Sequence, residues 1–118
     1  MFFEGAVIVS TPQDVALADA QKGVAMFRKV NVPILGLVQN MSFYTCPKCN
    51  HKDRLFGHEA GIAKLSDAMG LDIIGEIPLN PQICTLSDTG KPISFAEPLA
   101  LESQIYSNIA KAIMDKTK

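Results

Sequence analysis

Three apolar runs of strand length punctuate the chain, and longer segments of helical periodicity separate them. The runs are residues 5–10 (GAVIVS), 34–40 (ILGLVQN) and 71–78 (LDIIGEIP). Each run is nearly continuous rather than alternating, which is typical of parallel strands that are covered on both faces. The pattern therefore predicts three buried strands.

Four segments between and after these runs have apolar residues at helical spacing. We predict helices over residues 14–30, 57–70, 80–90 and 97–118. Gly70 and Gly90 are suitable residues to end the second and third of them. The expected core face of the last helix carries Leu99, Leu101, Ile105, Ile109 and Ile113. The order of strands and helices favours an α/β fold, with a mainly parallel sheet flanked by helices.

The predicted sheet is small for strands of this kind. Three strands that are buried on both faces leave an apolar edge exposed, and the first strand has no earlier element to pair with. We therefore expect residues 1–118 to form one partial domain that belongs to a larger one. The alternative is that the chain completes its sheet by dimerising or by exchanging strands.

Composition narrows the class of protein. The chain has 118 residues, of which 47% are hydrophobic and 19% charged, and its net charge is −1. These values fit a soluble globular protein. Charges of both signs are mixed throughout, so no basic surface for nucleic acid or anionic lipid is predicted. The apolar runs are too short for a membrane span, and the first residues lack the pattern of a signal peptide.

The three cysteines are Cys46, Cys49 and Cys84. An odd, low count without a secretory signal favours a reducing compartment, where a C-x-x-C pair is more often metal-binding or catalytic than structural. Cys84 is isolated in the sequence, and we expect it to be a small buried side chain.

The spacing of Cys46 and Cys49 leaves several functions open. The pair is suited to metal binding, or to a dithiol redox couple with Cys46 as nucleophile and Cys49 as resolving thiol. The remaining alternative is an inert pair of thiols. Pro47 stiffens the turn between the thiols. Nearby cations, Lys48, Lys52 and Arg54, are expected to favour the thiolate form. A zinc site that adds His51 or His58 is also chemically reasonable, as in a small zinc-stabilised interaction module.

Several motifs occur together in a fixed order. They are GAVIVSTPQDVALADAQKGVAMFRKVNVPILGLVQNMSFYTCPKC, LFGHEAG, IIGEIPLNPQI and SDTGKP. With these motifs the chain resembles the C-terminal half of the Mrp-like P-loop ATPases, which are iron–sulfur cluster carriers related to MinD and ParA. The nearest resemblance is to the mitochondrial branch, which serves assembly of respiratory complex I. It implies the C-terminal part of a P-loop NTPase fold of the SIMIBI type.

The resemblance also implies a role for the cysteines. In that family the CPxC pairs of two protomers hold one [4Fe-4S] cluster across the dimer axis, so that two chains supply four thiolates. Carried over by position, Cys46 and Cys49 are the cluster ligands, residues 41–56 form the cluster-binding loop, and the chain is a homodimer. Zinc is a possible substitute. The implied recipients are apo iron–sulfur proteins, and the implied compartment is the mitochondrial matrix, with the cytoplasm as the alternative.

One family feature is absent from these residues. No G-x-x-x-x-G-K-[ST] occurs, and Gly90–Lys91 is followed by Pro92. A phosphate cradle needs successive backbone N–H groups together with that lysine and a hydroxyl for Mg²⁺. We therefore expect this chain alone not to hydrolyse ATP, and we assign ATP and Mg²⁺ to the full-length protein, which carries the Walker A half.

Three residues resemble the family's contacts with the adenine base. Asn40, at the end of the second strand, resembles the residue that hydrogen-bonds the base, and Pro78 and Leu79 resemble the loop that packs against it. Ligands of open α/β sheets bind at the carboxyl ends of strands, which agrees with this placement. The alternative is that Asn40 is a turn former and Pro78 only ends a strand.

Overall fold

The protein is described here by a computed structural model, which covers residues 4–56 and 60–117. The elements in chain order are β1 (Ala6–Ser10), α1 (Asp14–Lys29), β2 (Ile34–Gln39), β3 (Tyr44–Thr45), β4 (Lys52–Asp53), α2 (Ala60–Met69), β5 (Ile73–Glu76), α3 (Pro81–Asp88), α4 (Ile93–Ala96) and α5 (Leu101–Lys116). The three predicted strands are present, and helices occupy each of the four predicted segments.

A parallel sheet in the order β1-β2-β5 forms the centre of the fold. Strand β2 lies between the other two and is buried along nearly all of its length. The register pairs Gln39 with Ser10 on one side and with Glu76 on the other, so the three strands end in one row. The predicted α/β architecture with a parallel sheet is confirmed. The carboxyl end of this sheet is where the candidate site is built.

Helices cover both faces of the sheet. Because successive side chains of a strand point to opposite faces, Leu37 and its neighbour Val38 belong to different cores. Helices α1 and α2 pack around Leu37, and α5 packs around Val38. Helix α5 approaches most closely at Gly75, where an added Cβ would collide with the side chain of Ile109. A glycine in the middle of β5 is therefore required by packing.

The ends of α2 and α3 follow the predicted chemistry. Gly70 has φ +65° and Gly90 has φ +78°, values that favour glycine just beyond a helix. At the start of α3, the Asn80 side chain accepts a hydrogen bond of 3.0 Å from the backbone N–H of Gln82. This contact fixes the direction in which the chain leaves β5.

The start of α5 differs from the prediction. The helix begins at Leu101, and its buried residues are Ser103 and Ile109. Leu99 is 99% exposed and Leu101 is 64% exposed, so the expectation that both face the core is wrong. The reason is that the preceding segment turns away through the short helix α4, which the apolar pattern did not predict. The Ser103 hydroxyl fastens this turn by donating to the backbone oxygens of Ile93 and Glu97.

Strand β1 forms one edge of the sheet, with β2 as its neighbour. Among the described residues, β1 is therefore an edge strand, as predicted. Val9, the fourth residue of this strand, is 59% exposed, so an apolar side chain is left uncovered there. Across residues 4–56 and 60–117, no helix combines the length and the apolar character needed to cross a membrane.

Candidate metal centre

The two cysteines of the CPKC motif lie at the tip of a small hairpin that was not predicted. Strands β3 and β4 pair antiparallel, with Tyr44 opposite Asp53 and Thr45 opposite Lys52. Two backbone hydrogen bonds close the turn, from Cys46 N–H to the His51 oxygen at 2.9 Å and from Asn50 N–H to the Cys46 oxygen at 2.8 Å. The hairpin places Cys46 where it is half-buried and Cys49 where it is exposed, both as free thiols.

The turn makes the Cys46 thiol more acidic than an ordinary cysteine thiol. Hydrogen bonds from the backbone N–H groups of Cys49 and Lys48, and a further contact with the Cys49 thiol, lower the pKa of Cys46 below its usual value. Thiolate is the form that binds metals and attacks electrophiles, so this geometry favours both kinds of chemistry. The expectation that nearby cations would cause the effect is wrong, since backbone donors cause it.

Two of the three cations near the thiols, Lys52 and Arg54, make contacts with other groups. The Lys52 ammonium lies 4.0 Å from the centroid of the Phe43 ring, and Arg54 is paired with Glu76. Phe43 itself is buried within the chain, which makes it a packing residue of the hairpin. Tyr44 is half-buried.

The donor set of the described chain is limited to two sulfurs at this place. No three His, Cys, Asp or Glu side chains come together as a metal site within residues 4–56 and 60–117. The proposed zinc site with His51 is therefore not formed, and His58 lies outside the described residues. A tetrahedral metal or a cubane cluster needs four ligands, so Cys46 and Cys49 fill half of such a shell.

Cys84 differs from its prediction. It is exposed on α3, a helix with no fully buried residue, and its sulfur lies 3.7 Å from the carboxylate Oδ2 of Asp88. The expectation of a small buried side chain is wrong because α3 lies on the surface. Cys84 is not one of the residues around the hairpin.

A cavity of about 450 Å³ lies against the hairpin, on the side that faces the start of α3. Its wall is made by Phe43, Tyr44, Thr45, Pro47, Pro78, Leu79, Asn80, Pro81, Gln82, Leu101 and Glu102. The predicted residues Pro78 and Leu79 therefore lie together in a cavity next to the cysteines. The backbone also joins the two regions, because Leu79 N–H donates to the Phe43 oxygen at 2.7 Å.

Asn40 is not part of that wall. Its backbone N–H donates to the Ser10 oxygen at 2.8 Å, and its side-chain Oδ1 accepts from Met41 N–H at 3.0 Å. Met41 has φ +53°, so this contact supports a left-handed turn. The oxygen of the Asn40 side chain therefore takes part in a turn, as in the alternative interpretation of the sequence, and this contact does not use the Nδ2 group. A second, larger cavity of about 840 Å³ between α1 and α2 contains none of the predicted site residues.

A polar network under the hairpin was missed by the sequence reasoning. Gln39 is fully buried, and its Nε2 donates to the Ser42 hydroxyl at 2.7 Å and to Glu76 Oε1 at 3.5 Å. Arg54 Nη1 donates to the same Ser42 hydroxyl at 3.1 Å. Gln39 Oε1 is buried and has no hydrogen-bond partner in the described part of the chain. A glutamine at the end of an otherwise apolar strand was the available signal.

Comparison with known proteins places this arrangement in a family. Residues 1–114 match the ParA family model described as "NUBPL iron-transfer P-loop NTPase". The chain belongs to this family. The membership confirms the resemblance that the ordered motifs indicated.

Two curated relatives in this family match nearly all of this chain and are much longer than it. The mouse "Iron-sulfur cluster transfer protein NUBPL" is 53% identical over 114 residues, which are 97% of this chain and 35% of the mouse protein. The Arabidopsis thaliana "Iron-sulfur protein required for NADH dehydrogenase, mitochondrial" is 50% identical over 114 residues, again 97% of this chain, and 36% of its own length. The chain therefore spans about a third of the length of these relatives.

The fold agrees with a solved member of the wider group. The cell division ATPase MinD of Pyrococcus furiosus superposes with a TM-score of 0.73 at 25% sequence identity, over 95% of this chain and 43% of that one. The three-stranded sheet and its helices thus have the MinD-like P-loop NTPase fold, as the resemblance implied.

Proposed function

We propose that this chain is the cluster-holding part of an iron–sulfur cluster carrier, in which the CPKC tips of two copies together hold one [4Fe-4S] cluster as cargo. The observation that carries the proposal is the pair of free thiols on one hairpin tip, one half-buried and one exposed, with backbone N–H groups directed at the Cys46 sulfur. Two such tips supply the four thiolates that a [4Fe-4S] cluster requires. Membership of an iron-transfer family supports the same reading.

The chemistry of the tip suits a cargo that must leave again. Backbone N–H groups that point at a ligand sulfur stabilise its negative charge and tune the attached metal. A tip that projects from the fold on two short strands leaves the cluster accessible to the cysteines of an acceptor. Transfer then proceeds by exchange of one thiolate ligand for another at each iron, with no change in the number of iron–sulfur bonds.

We further propose apo iron–sulfur proteins as recipients, respiratory complex I among them, and the mitochondrial matrix as the compartment. The names of the mouse and Arabidopsis relatives support these assignments. The cytoplasm is the alternative compartment. These statements concern the whole protein, because this chain spans only about a third of the length of these relatives.

The test of cluster binding is anaerobic reconstitution with ferrous iron and sulfide, followed by iron analysis and visible absorbance. We expect a brown species that is lost in both Cys46→Ser and Cys49→Ser. Cys84→Ser is the matched control, because it removes an equally exposed thiol from another part of the fold, and it should bind iron like the wild type. Iron uptake that persists in both hairpin variants would rule the proposal out.

A dithiol oxidoreductase is the second candidate, favoured by the lowered pKa of Cys46 and its contact with Cys49. Against it, CPKC lies between two strands rather than at the start of a helix, where thioredoxin-like enzymes carry their motif. Absence of iron binding together with a reversible Cys46–Cys49 disulfide would favour this enzyme. Tight, colourless binding of zinc alone would favour a zinc-stabilised interaction module.

In the complete protein we propose that Asn40, Pro78 and Leu79 contact the base of ATP. Leu79 and Pro78 offer an apolar wall, and the Nδ2 group of Asn40 is the donor offered to the base, since its Oδ1 is bonded to Met41. The phosphate cradle and the Mg²⁺ ligand are not among these 118 residues.

Asn40→Ala in the complete protein should weaken binding of an ATP analogue about tenfold, the cost of one hydrogen bond. Asn108→Ala, on the exposed side of α5, should leave it unchanged, and equal affinities in the two variants would contradict the assignment.

A further inference from the structure

The two arms of the hairpin are fastened to the sheet in different ways. On the outgoing arm, Ser42 N–H donates to the Ile77 oxygen at 2.9 Å and Leu79 N–H donates to the Phe43 oxygen at 2.7 Å. Main-chain bonds therefore hold this arm. On the returning arm, Lys52 and Asp53 pair with the outgoing arm, and a side chain makes the contact with the three-stranded sheet.

The side chain of Arg54 provides the connection of the returning arm. Arg54 follows β4 directly, and its Nη1 lies 3.1 Å from the hydroxyl and 3.5 Å from the backbone oxygen of Ser42. The same nitrogen lies 3.7 Å from Glu76 Oε1 at the end of β5. One guanidinium thus closes the base of the hairpin and ties it to the sheet.

The buried amide of Gln39 completes this connection. Its Nε2 holds the Ser42 hydroxyl at 2.7 Å and reaches Glu76 Oε1 at 3.5 Å, so both acceptors of Arg54 are fixed from below. Gln39 is fully buried at the end of β2 and has little freedom to move. Arg54 therefore binds to a preorganised pair of acceptors rather than to two mobile surface groups.

We propose that Arg54 is a positioning residue, which sets the direction of the CPKC tip so that its two thiols can meet those of a second copy. The inference rests on the proposed function. A hairpin with two residue pairs is at best marginally stable by itself, so both arms need an anchor for the tip to keep one direction. A ligand shell shared between chains requires its sulfurs to be placed within about 0.5 Å.

The chemistry of the residue fits this role. All three contacts are made by Nη1, whose two N–H groups are held in the fixed plane of the guanidinium, whereas a lysine ammonium is a point charge. Partly exposed ion pairs contribute little to global stability. The Arg54 side chain is 26% exposed and that of Glu76 is 38% exposed. Loss of Arg54 should accordingly affect the cluster far more than the fold.

The experiment compares Arg54→Gln with Arg28→Gln in the reconstituted chain. Arg28 is the other arginine, and its guanidinium donates to the Met69 backbone oxygen, away from the hairpin. We expect Arg54→Gln to lose iron to a chelator on the order of ten times faster than wild type, as for other groups that orient metal ligands. Its thermal midpoint should stay within a few degrees of wild type. Arg28→Gln should retain iron like wild type, and Arg54→Lys should lie between them.

Two further measurements separate this inference from the proposed function. Glu76→Gln removes the carboxylate charge, and its effect combined with Arg54→Gln should be less than the product of the two single effects. In the metal-free chain, backbone NMR order parameters of residues 46–53 should fall in Arg54→Gln and not in Arg28→Gln, which decides the matter even if wild type binds no iron. Unchanged order parameters in Arg54→Gln would overturn the proposal. So would iron loss at the wild-type rate in a variant that binds iron.

Discussion

The parallel sheet and the hairpin are built from different kinds of interaction. The sheet is apolar, lies between helices on both faces, and has its central strand almost fully buried. The hairpin consists of one pair of two-residue strands, a turn closed by backbone hydrogen bonds, and one cation–aromatic contact. Stability and chemistry are therefore assigned to separate regions. They meet at the carboxyl end of the sheet, where Gln39 and Arg54 connect them.

The largest loss of stability is expected from a substitution in the core around the sheet. Leu37, fully buried at the centre of β2, packs between α1 and α2. Leu37→Ala should lower the free energy of unfolding by about 2–5 kcal/mol, through lost burial and the cavity left behind. Urea unfolding followed by circular dichroism measures it. Leu99→Ala is the matched control, because that leucine is 99% exposed and its removal should cost less than about 0.5 kcal/mol. Equal losses would contradict the assignment of stability to the apolar core around the sheet.

A smaller effect concerns the thiol of Cys46 at the hairpin tip. Because backbone N–H groups lower the pKa of Cys46, its alkylation by iodoacetamide should reach half its maximal rate at a lower pH in the folded chain than in concentrated urea. Peptide mass spectrometry across pH 6 to 10 would follow the residue in both states. In urea the profile should centre near the ordinary thiol pKa of about 8.5. Coincident profiles for the folded and the unfolded chain would contradict the effect of the turn.

The sign of the linked stability follows from the same shift. The folded pKa of Cys46 lies below its unfolded value, so the thiolate contributes to stability above the unfolded pKa. That contribution falls as the pH drops from the unfolded to the folded pKa and is absent below it.

Long, regular features were predictable from the sequence. The strands β1, β2 and β5 are apolar runs that nothing else in the chain imitates, and Gly70 and Gly90 mark helix ends by a local conformational requirement. Cys46 and Cys49 were singled out by their spacing, and Pro78 and Leu79 by the family resemblance of the segment after the third strand; their roles stay predictions. In each case the signal is carried by neighbouring residues.

Features that depend on tertiary register were not predictable. Strands β3 and β4 have two residues each, which is too short for any periodicity. The contacts of Arg54 with Ser42 and Glu76 join three separate segments, whose alignment is set by the pairing of β2 with β5. Leu99 was assigned to the interior from its helical spacing and Cys84 from its residue type, whereas both side chains are exposed.

The central claim is that two hairpin tips share one cluster, and native mass spectrometry of the anaerobically reconstituted chain tests it most directly. We expect a species with the mass of two chains plus one [4Fe-4S] cluster, which dissociates to single chains when a chelator removes the iron. A single chain that carries the intact cluster would contradict the shared-cluster proposal. A two-chain species that persists unchanged without iron would show that the dimer is held by other contacts.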